Sequence, residues 1–305
     1  MDMTTQDWLA RAQQTAEPVS FELPWGSLRG LRWGRADVQP QLALHGWLDN
    51  AHSFLPIAAE FMRSQAHQDH SLVALEWAGH GHSDHRPVGN HYYFIDYVYD
   101  LWELLEQQQW QQCNILAHSM GAFVANMLAG IAPEKVANLY AVEAFGLLAA
   151  PPERTAADLL KGFRSRHDYR NKSRPDYADF ERAVAARTAA GDFSNDLAEL
   201  LVTRGSAQNQ SGSWRFRADG RVRVESPFRL TPEQIANVLE QIKCPFKLIR
   251  GANGFNHVDE HLQLWQAAVP QLDVEVMAGG HHVHMEQPTA IWQSYETFVK
   301  LGKTI

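Results

Sequence analysis

The sequence predicts an α/β fold, a mostly parallel sheet covered by helices on both faces, and three observations carry that reading. Short apolar runs recur at 41–44, 71–75, 113–116, 136–142, 245–249 and 274–277, each the length of a buried strand. Between several of them lie stretches with apolar residues at helical spacing, and strands that alternate with helices imply a parallel sheet with both faces covered. The third observation is Ala117-His118-Ser119-Met120-Gly121, which follows one apolar run and opens a segment rich in small residues, Ala122, Ala125 and Ala129 among them. A serine set between small residues at a strand-to-helix turn suits a corner too sharp for bulk two positions either side.

In chain order, residues 19–23 and 28–33 are β-like runs parted by Pro24-Trp25-Gly26, an opening hairpin. The strand at 41–44 leads into His45-Gly46-Trp47, and the strand at 71–75 into the glycine-rich turn Gly79-His80-Gly81-His82-Ser83. Residues 95–110 place Val98, Leu101, Leu104 and Leu105 on one helical face. After the serine corner comes the strand at 136–142, ending in Glu143-Ala144-Phe145-Gly146. The rhythm then breaks. Residues 147–230 are rich in Arg, Asp and Ala, with helical patterns at 176–187 and 195–204 and a hairpin expected where 214–217 and 222–224 flank Asp219-Gly220. The organisation is therefore a core of residues 1–146 and 231–305 with a mainly helical lid, 147–230, inserted between its parts. Thr231-Pro232-Glu233-Gln234 restarts the core with an N-cap, a proline at the first helical position and a glutamine at the third, ahead of the stripe Ile235, Val238, Leu239 and Ile242. Strands at 245–249 and 274–277 follow, and a closing helix is expected from Thr289 to Leu301.

Composition bounds the function. Hydrophobic residues at 45% and charged residues at 20% exclude extended disorder, and 305 residues suffice for one large domain with an insertion. A formal charge of −8 argues against general binding to nucleic acid or anionic membranes. Cys113 and Cys244 each stand at a strand start, where packing explains them better than a disulfide. With no stretch resembling a signal peptide and no run long enough to span a membrane, a cytoplasmic protein is expected.

Hydrolysis by a serine needs a base for the hydroxyl proton, a carboxylate to orient that base, and donors for the oxyanion. Ser119 is the candidate nucleophile; its alternative is a helix-capping serine. With the base last in chain order, His281 directly after Gly280 is favoured over His282 and His284. The acid is less obvious. Three residues beyond Gly251, where many such enzymes carry aspartate, stands Gly254, which leaves Glu143 at a strand end as the preferred acid and Asp259 as the alternative. Backbone N–H groups of Trp47 and Met120 are the expected oxyanion donors. Trp47, Phe54, Trp77, Phe145 and Phe255 lie in loops expected to ring the corner as an apolar pocket. A rival reading takes the H-x-H-x-D-H spacing of residues 80–85 as a zinc hydrolase motif, although fifteen histidines make such a match easy by chance.

His45-Gly46-Trp47, the Gly79–Ser83 turn, Ala117–Gly121 and the stretch from Gly280-His281 to Pro288 together resemble the α/β-hydrolase superfamily, in order and over nearly the whole chain. Arg86-Pro87 after the turn and Ser226-Pro227-Phe228-Arg229-Leu230-Thr231 resemble more narrowly its serine hydrolase-like, or Kraken-like, branch. The resemblance implies an eight-stranded, mostly parallel sheet, a helical lid, and a carboxylesterase-type activity on small-molecule esters with neither cofactor nor metal. Carbon–carbon bond or thioester cleavage by the same residues, and a non-catalytic ligand sensor whose acid is lost at Gly254, are the other readings. Ser119, where the dehalogenase and epoxide hydrolase branches carry aspartate, disfavours those branches.

Overall fold

In the computed structural model, which describes residues 3–300, eight strands form one sheet in the order β1-β2-β4-β3-β5-β6-β9-β10. They are β1 (Glu17–Leu23), β2 (Gly26–Gly34), β3 (Gln41–Leu44), β4 (Ser71–Glu76), β5 (Cys113–His118), β6 (Val136–Val142), β9 (Phe246–Gly251) and β10 (Leu272–Met277), with a separate small pair, β7 (Ser206–Gln208) and β8 (Trp214–Phe216). β2 pairs antiparallel with both β1 and β4, and every other pairing in the large sheet is parallel. All residues of β3 and β4 are buried, as expected of apolar runs covered on two sides.

Successive strand residues feed opposite layers. Leu42, Leu44, Ile115 and Ala117 join a core with α3 (Phe94–Gln107), α4 (Met120–Ile131), α8 (Pro232–Leu239) and α9 (His257–Trp265). Ala43, Leu72 and Leu116 join the other core, beneath α1 (Thr5–Thr15), α2 (Leu55–Arg63) and α10 (Pro288–Phe298). The expected start of α8 is present as a full capping box, with Thr231 and Gln234 satisfying each other's backbone N–H groups. The closing helix ends at Phe298; Leu301 lies outside the described residues.

From β3 the chain moves to β4 on one side and then returns to β5 on the other, so the strand order reverses between β3 and β5. Loops leaving the carboxyl ends of two such strands diverge and leave a crevice, the usual ligand position in open α/β sheets. Leu44 pairs with Ala117 across this junction, which brings the His45-Gly46-Trp47 loop beside Ser119.

Residues 147–230 leave the sheet after β6 and carry α5 (Thr155–Tyr169), α6 (Phe180–Ala189) and α7 (Asn195–Gly205); α6 and α7 pack around a small core that includes Ala183, Phe193 and Leu201 together with Met285. Two details differ from expectation. β8 pairs with β7, upstream, and Gly220–Arg223 is a 3₁₀ turn, so no hairpin forms around Asp219-Gly220. The Asp219 carboxylate caps that turn through the Arg221 N–H and receives the Tyr92 O–H from the core at 2.8 Å, which spends the corner on anchoring. The second is α5, hidden in the sequence because Leu160 and Phe163 on it remain exposed and mark no buried face. Both cysteines are free and buried, and burial pushes their thiols up to about 12 for Cys113 and about 11 for Cys244. Among the described residues no helix is long and apolar enough to cross a membrane.

Buried ion pairs fasten the insertion to the sheet. Arg204 of α7 grips Glu76 at the end of β4 through two bonds of 2.7 and 2.9 Å, and Arg187 of α6 donates to Asp49 at 2.6 Å. Because Glu76 is wholly buried, Arg204→Ala strands its charge, and we expect a loss of about 3–5 kcal/mol in unfolding free energy. Urea denaturation checks this; the double variant Glu76→Gln/Arg204→Met recovers part of the loss.

Candidate active site

Ser119 occupies the single residue between β5 and α4, at φ 49° and ψ −118°. A side-chain-bearing residue held there costs roughly 1–3 kcal/mol, which the surroundings must supply. Its N–H donates to the Val142 carbonyl at 2.9 Å and its carbonyl accepts from Phe123 N–H at 3.0 Å, so both neighbouring elements hold the corner. Ala117 is fully buried between Leu44 and Ala141, a place with room for a methyl. At Gly121 any Cβ would strike the Leu44 carbonyl. The hydroxyl makes no cap bond to α4, which removes the helix-capping reading and leaves it free to face the crevice.

His281 Nε2 lies 2.9 Å from Ser119 Oγ, and His281 Nδ1 lies 3.1 Å from Glu143 Oε2. The carboxylate can only accept, so Nδ1 carries the proton and Nε2 offers its lone pair to the serine O–H. Glu143, itself at φ 58°, is fully buried just past β6; its carboxylate also accepts the Gly251 N–H at 2.6 Å and the Phe255 N–H at 3.1 Å. The expected aspartate position is vacant for a reason: a Cβ at Gly254 would collide with both Glu143 oxygens. Asp259 is not in the row. It pairs with Arg250 at 2.6 and 2.5 Å, in the first turn of its helix.

The remaining histidines of this stretch serve elsewhere. His281 is braced by its own backbone, whose N–H donates to Asp192 of the insertion and whose carbonyl receives His118 Nε2–H at 2.9 Å, while its ring stacks on Phe255 at 4.0 Å. His282 turns to Asp192 at 2.6 Å; burial opposes its charge, yet the carboxylates of Asp192 and Asp49 beside it raise it to about 9. Burial drives His118 the other way, down to about 3. His284 is buried against Ser53 at 2.8 Å. Sequence reasoning missed Asp49, His118 and Asp192.

A cavity of about 600 Å³ opens beside Ser119. Trp47 and Phe255 line it as expected, and Met120 with them. Phe54, Trp77 and Phe145 do not; each is fully buried, Phe54 under α2 and the other two in the opposite core, because loops that start in the crevice still send large side chains back into the sheet's layers. Their place is taken by Phe123 and Met127, plus Leu147, Val222 and Phe228 of the insertion. Phe123 and Met127 stand four and eight positions after Ser119, a helical spacing that could have revealed them. The Trp47 indole donates to the Val222 carbonyl at 3.1 Å, tying the His45-Gly46-Trp47 loop to the insertion. Met120 opens α4, where a backbone N–H has no partner within the helix.

The H-x-H-x-D-H spacing does not converge. His80 is buried and bonds the Ala78 carbonyl at 3.1 Å, Asp84 pairs with Arg29 at 2.6 Å, and His85 reaches the Arg217 carbonyl at 3.0 Å. Glycines at 79 and 81 with positive φ turn the backbone tightly enough to splay these side chains apart.

The profile of the α/β hydrolase fold matches residues 42–288. A serine hydrolase-like protein of Danio rerio is 28% identical over 291 residues, covering 92% of this chain and 87% of the relative. A probable serine hydrolase of Drosophila melanogaster is 28% identical, with 93% and 88% covered. A hypothetical protein from Pseudomonas aeruginosa PAO1, solved by crystallography, superposes with a TM-score of 0.83 at 33% identity, over 93% of this chain and 98% of that one. The profile spans most of the chain and these relatives follow it nearly end to end: the chain belongs to the α/β-hydrolase superfamily, in its serine hydrolase-like branch.

Proposed function

We propose that this hydrolase is a carboxylesterase that cleaves small to medium apolar esters through an acyl-enzyme, with Ser119 as nucleophile, His281 as base and Glu143 as acid. The observation that carries the reading is the continuous row from Ser119 Oγ to His281 at 2.9 Å and on to Glu143 at 3.1 Å, at a corner whose geometry serves no capping role. In this scheme His281 Nε2 takes the hydroxyl proton as Oγ attacks the ester carbonyl. The buried Glu143 charge stabilises the imidazolium, and the Trp47 and Met120 N–H groups receive the oxyanion. His281 then gives its proton to the leaving alcohol, and water repeats the sequence on the acyl-serine.

The apolar lining of Phe123, Met127, Leu147 and Phe228 supports an uncharged acyl or alcohol group as the occupant. Residues 147–230 act as the lid in this reading, since they supply Leu147, Val222 and Phe228 to the cavity wall. The two free buried thiols suit the reducing conditions of a cytoplasm.

Hydrolysis of p-nitrophenyl butyrate and octanoate, with labelling by a fluorophosphonate probe, tests the proposal. Ser119→Ala abolishes both, and Glu143→Ala lowers kcat by about 10²–10⁴-fold. Absence of a probe adduct on the folded wild-type chain would instead favour the ligand sensor. Gly254→Ala pushes the Glu143 carboxylate off His281 and costs about 100-fold in kcat/KM, while Glu143→Ala/Gly254→Asp, which sets an acid on the neighbouring loop, exceeds Glu143→Ala alone.

A further inference from the structure

Next to the backbone of His281, three buried side chains aim potential metal-ligating atoms at one point. His118 Nε2 lies 2.9 Å from the His281 carbonyl, which can only accept, so Nε2 carries the proton and Nδ1 holds a lone pair. That Nδ1 is buried with no hydrogen-bond partner, 3.7 Å from Asp49 Oδ2. His282 donates its Nδ1–H to Asp192 at 2.6 Å, and its Nε2 stands 3.5 Å from the same Asp49 oxygen. All three atoms lie within 4.8 Å of one another.

These separations are too long for good hydrogen bonds, which close at roughly 2.7–3.2 Å. The 3.7 and 3.5 Å separations from Asp49 Oδ2 are near the spacing of ligands about 2.0–2.2 Å from a shared tetrahedral ion, which stand roughly 3.3–3.6 Å apart. The outer contacts fit as well. A metal-bound imidazole almost always donates its second N–H to a carboxylate or a carbonyl, and here Asp192 receives that of His282 and the His281 carbonyl that of His118. Arg187 holds the other oxygen of Asp49 at 2.6 Å, which fixes the direction of Oδ2.

We propose that Asp49 Oδ2, His118 Nδ1 and His282 Nε2 bind a divalent transition-metal ion, Zn²⁺ by the match of two imidazoles and one carboxylate, with water as fourth ligand. The site owes nothing to the 80–85 spacing, and the ion is structural: it braces the loop that carries His281 and ties α6 to the core through Asp192 and Arg187.

The test uses the full chain, stripped by chelator and titrated with Zn²⁺ by calorimetry, with metal content by mass spectrometry and Co²⁺ as a spectroscopic probe. One equivalent is expected in the wild type and equally in Ser119→Ala, with visible bands of tetrahedral Co²⁺. His118→Gln and His282→Gln each lose at least about 100-fold in affinity, and Asp192→Asn about 10–100-fold. Should a variant fail to fold, the wild-type Co²⁺ spectrum still decides. No stoichiometric binding by the folded wild type, an octahedral Co²⁺ spectrum, or undiminished affinity in both folded histidine variants overturns the proposal. Because the readout is binding, ester hydrolysis stands or falls separately.

Discussion

The site depends on one steric constraint, the passage from β5 into α4 through a single residue. The first turn of α4 can sit against the end of β3 only because Gly121 offers no Cβ to the Leu44 carbonyl. At this corner Ser119 takes a positive φ, and its hydroxyl faces the crevice where the strand order reverses. Every other functional side chain is measured from that fixed atom. Glu143 and His281 reach it from the ends of β6 and β10, where parallel strands deliver their loops to the same edge of the sheet.

The insertion is joined to this edge by charges where an apolar interface would have served stability as well. Arg204 with Glu76, Arg187 with Asp49, and Asp192 with His282 are all largely withdrawn from water. Buried ion pairs contribute little net stability over apolar packing, but breaking one partner is costly, so they fix position sharply. One of these partners, Asp192, also accepts the His281 backbone N–H. The same segment that walls the cavity therefore also steadies the candidate base.

Most of the sheet was readable because apolar runs of strand length have few alternative fates in a chain this polar. The α8 start was readable because Thr231 and Gln234 act locally. Ser119 and His281 could be read from chain order, and Glu143 from the absence of an acid at Gly254. The aromatic pocket residues were not, since whether Phe54, Trp77 or Phe145 turns to the crevice or the core is decided by packing across layers. The pairing of β8 with β7 was hidden because Asp219 and Arg221, which look like turn residues, spend their polarity on Tyr92 and the loop near Arg86. The cluster of Asp49, His118 and His282 draws on three distant stretches and leaves no local pattern at all.

The mutual exclusion of a side chain at position 254 and a carboxylate at position 143 has a historical corollary. A chain with its acid at 254 cannot acquire one at 143 while keeping the first, because the two compete for the same few cubic ångströms. Any route between the two arrangements passes through an ancestor with no acid, or through one in which both residues change together. Substitutions at these two sites are thus epistatic by volume alone, and transplanting either residue singly into a homologue of the other kind would impair its host.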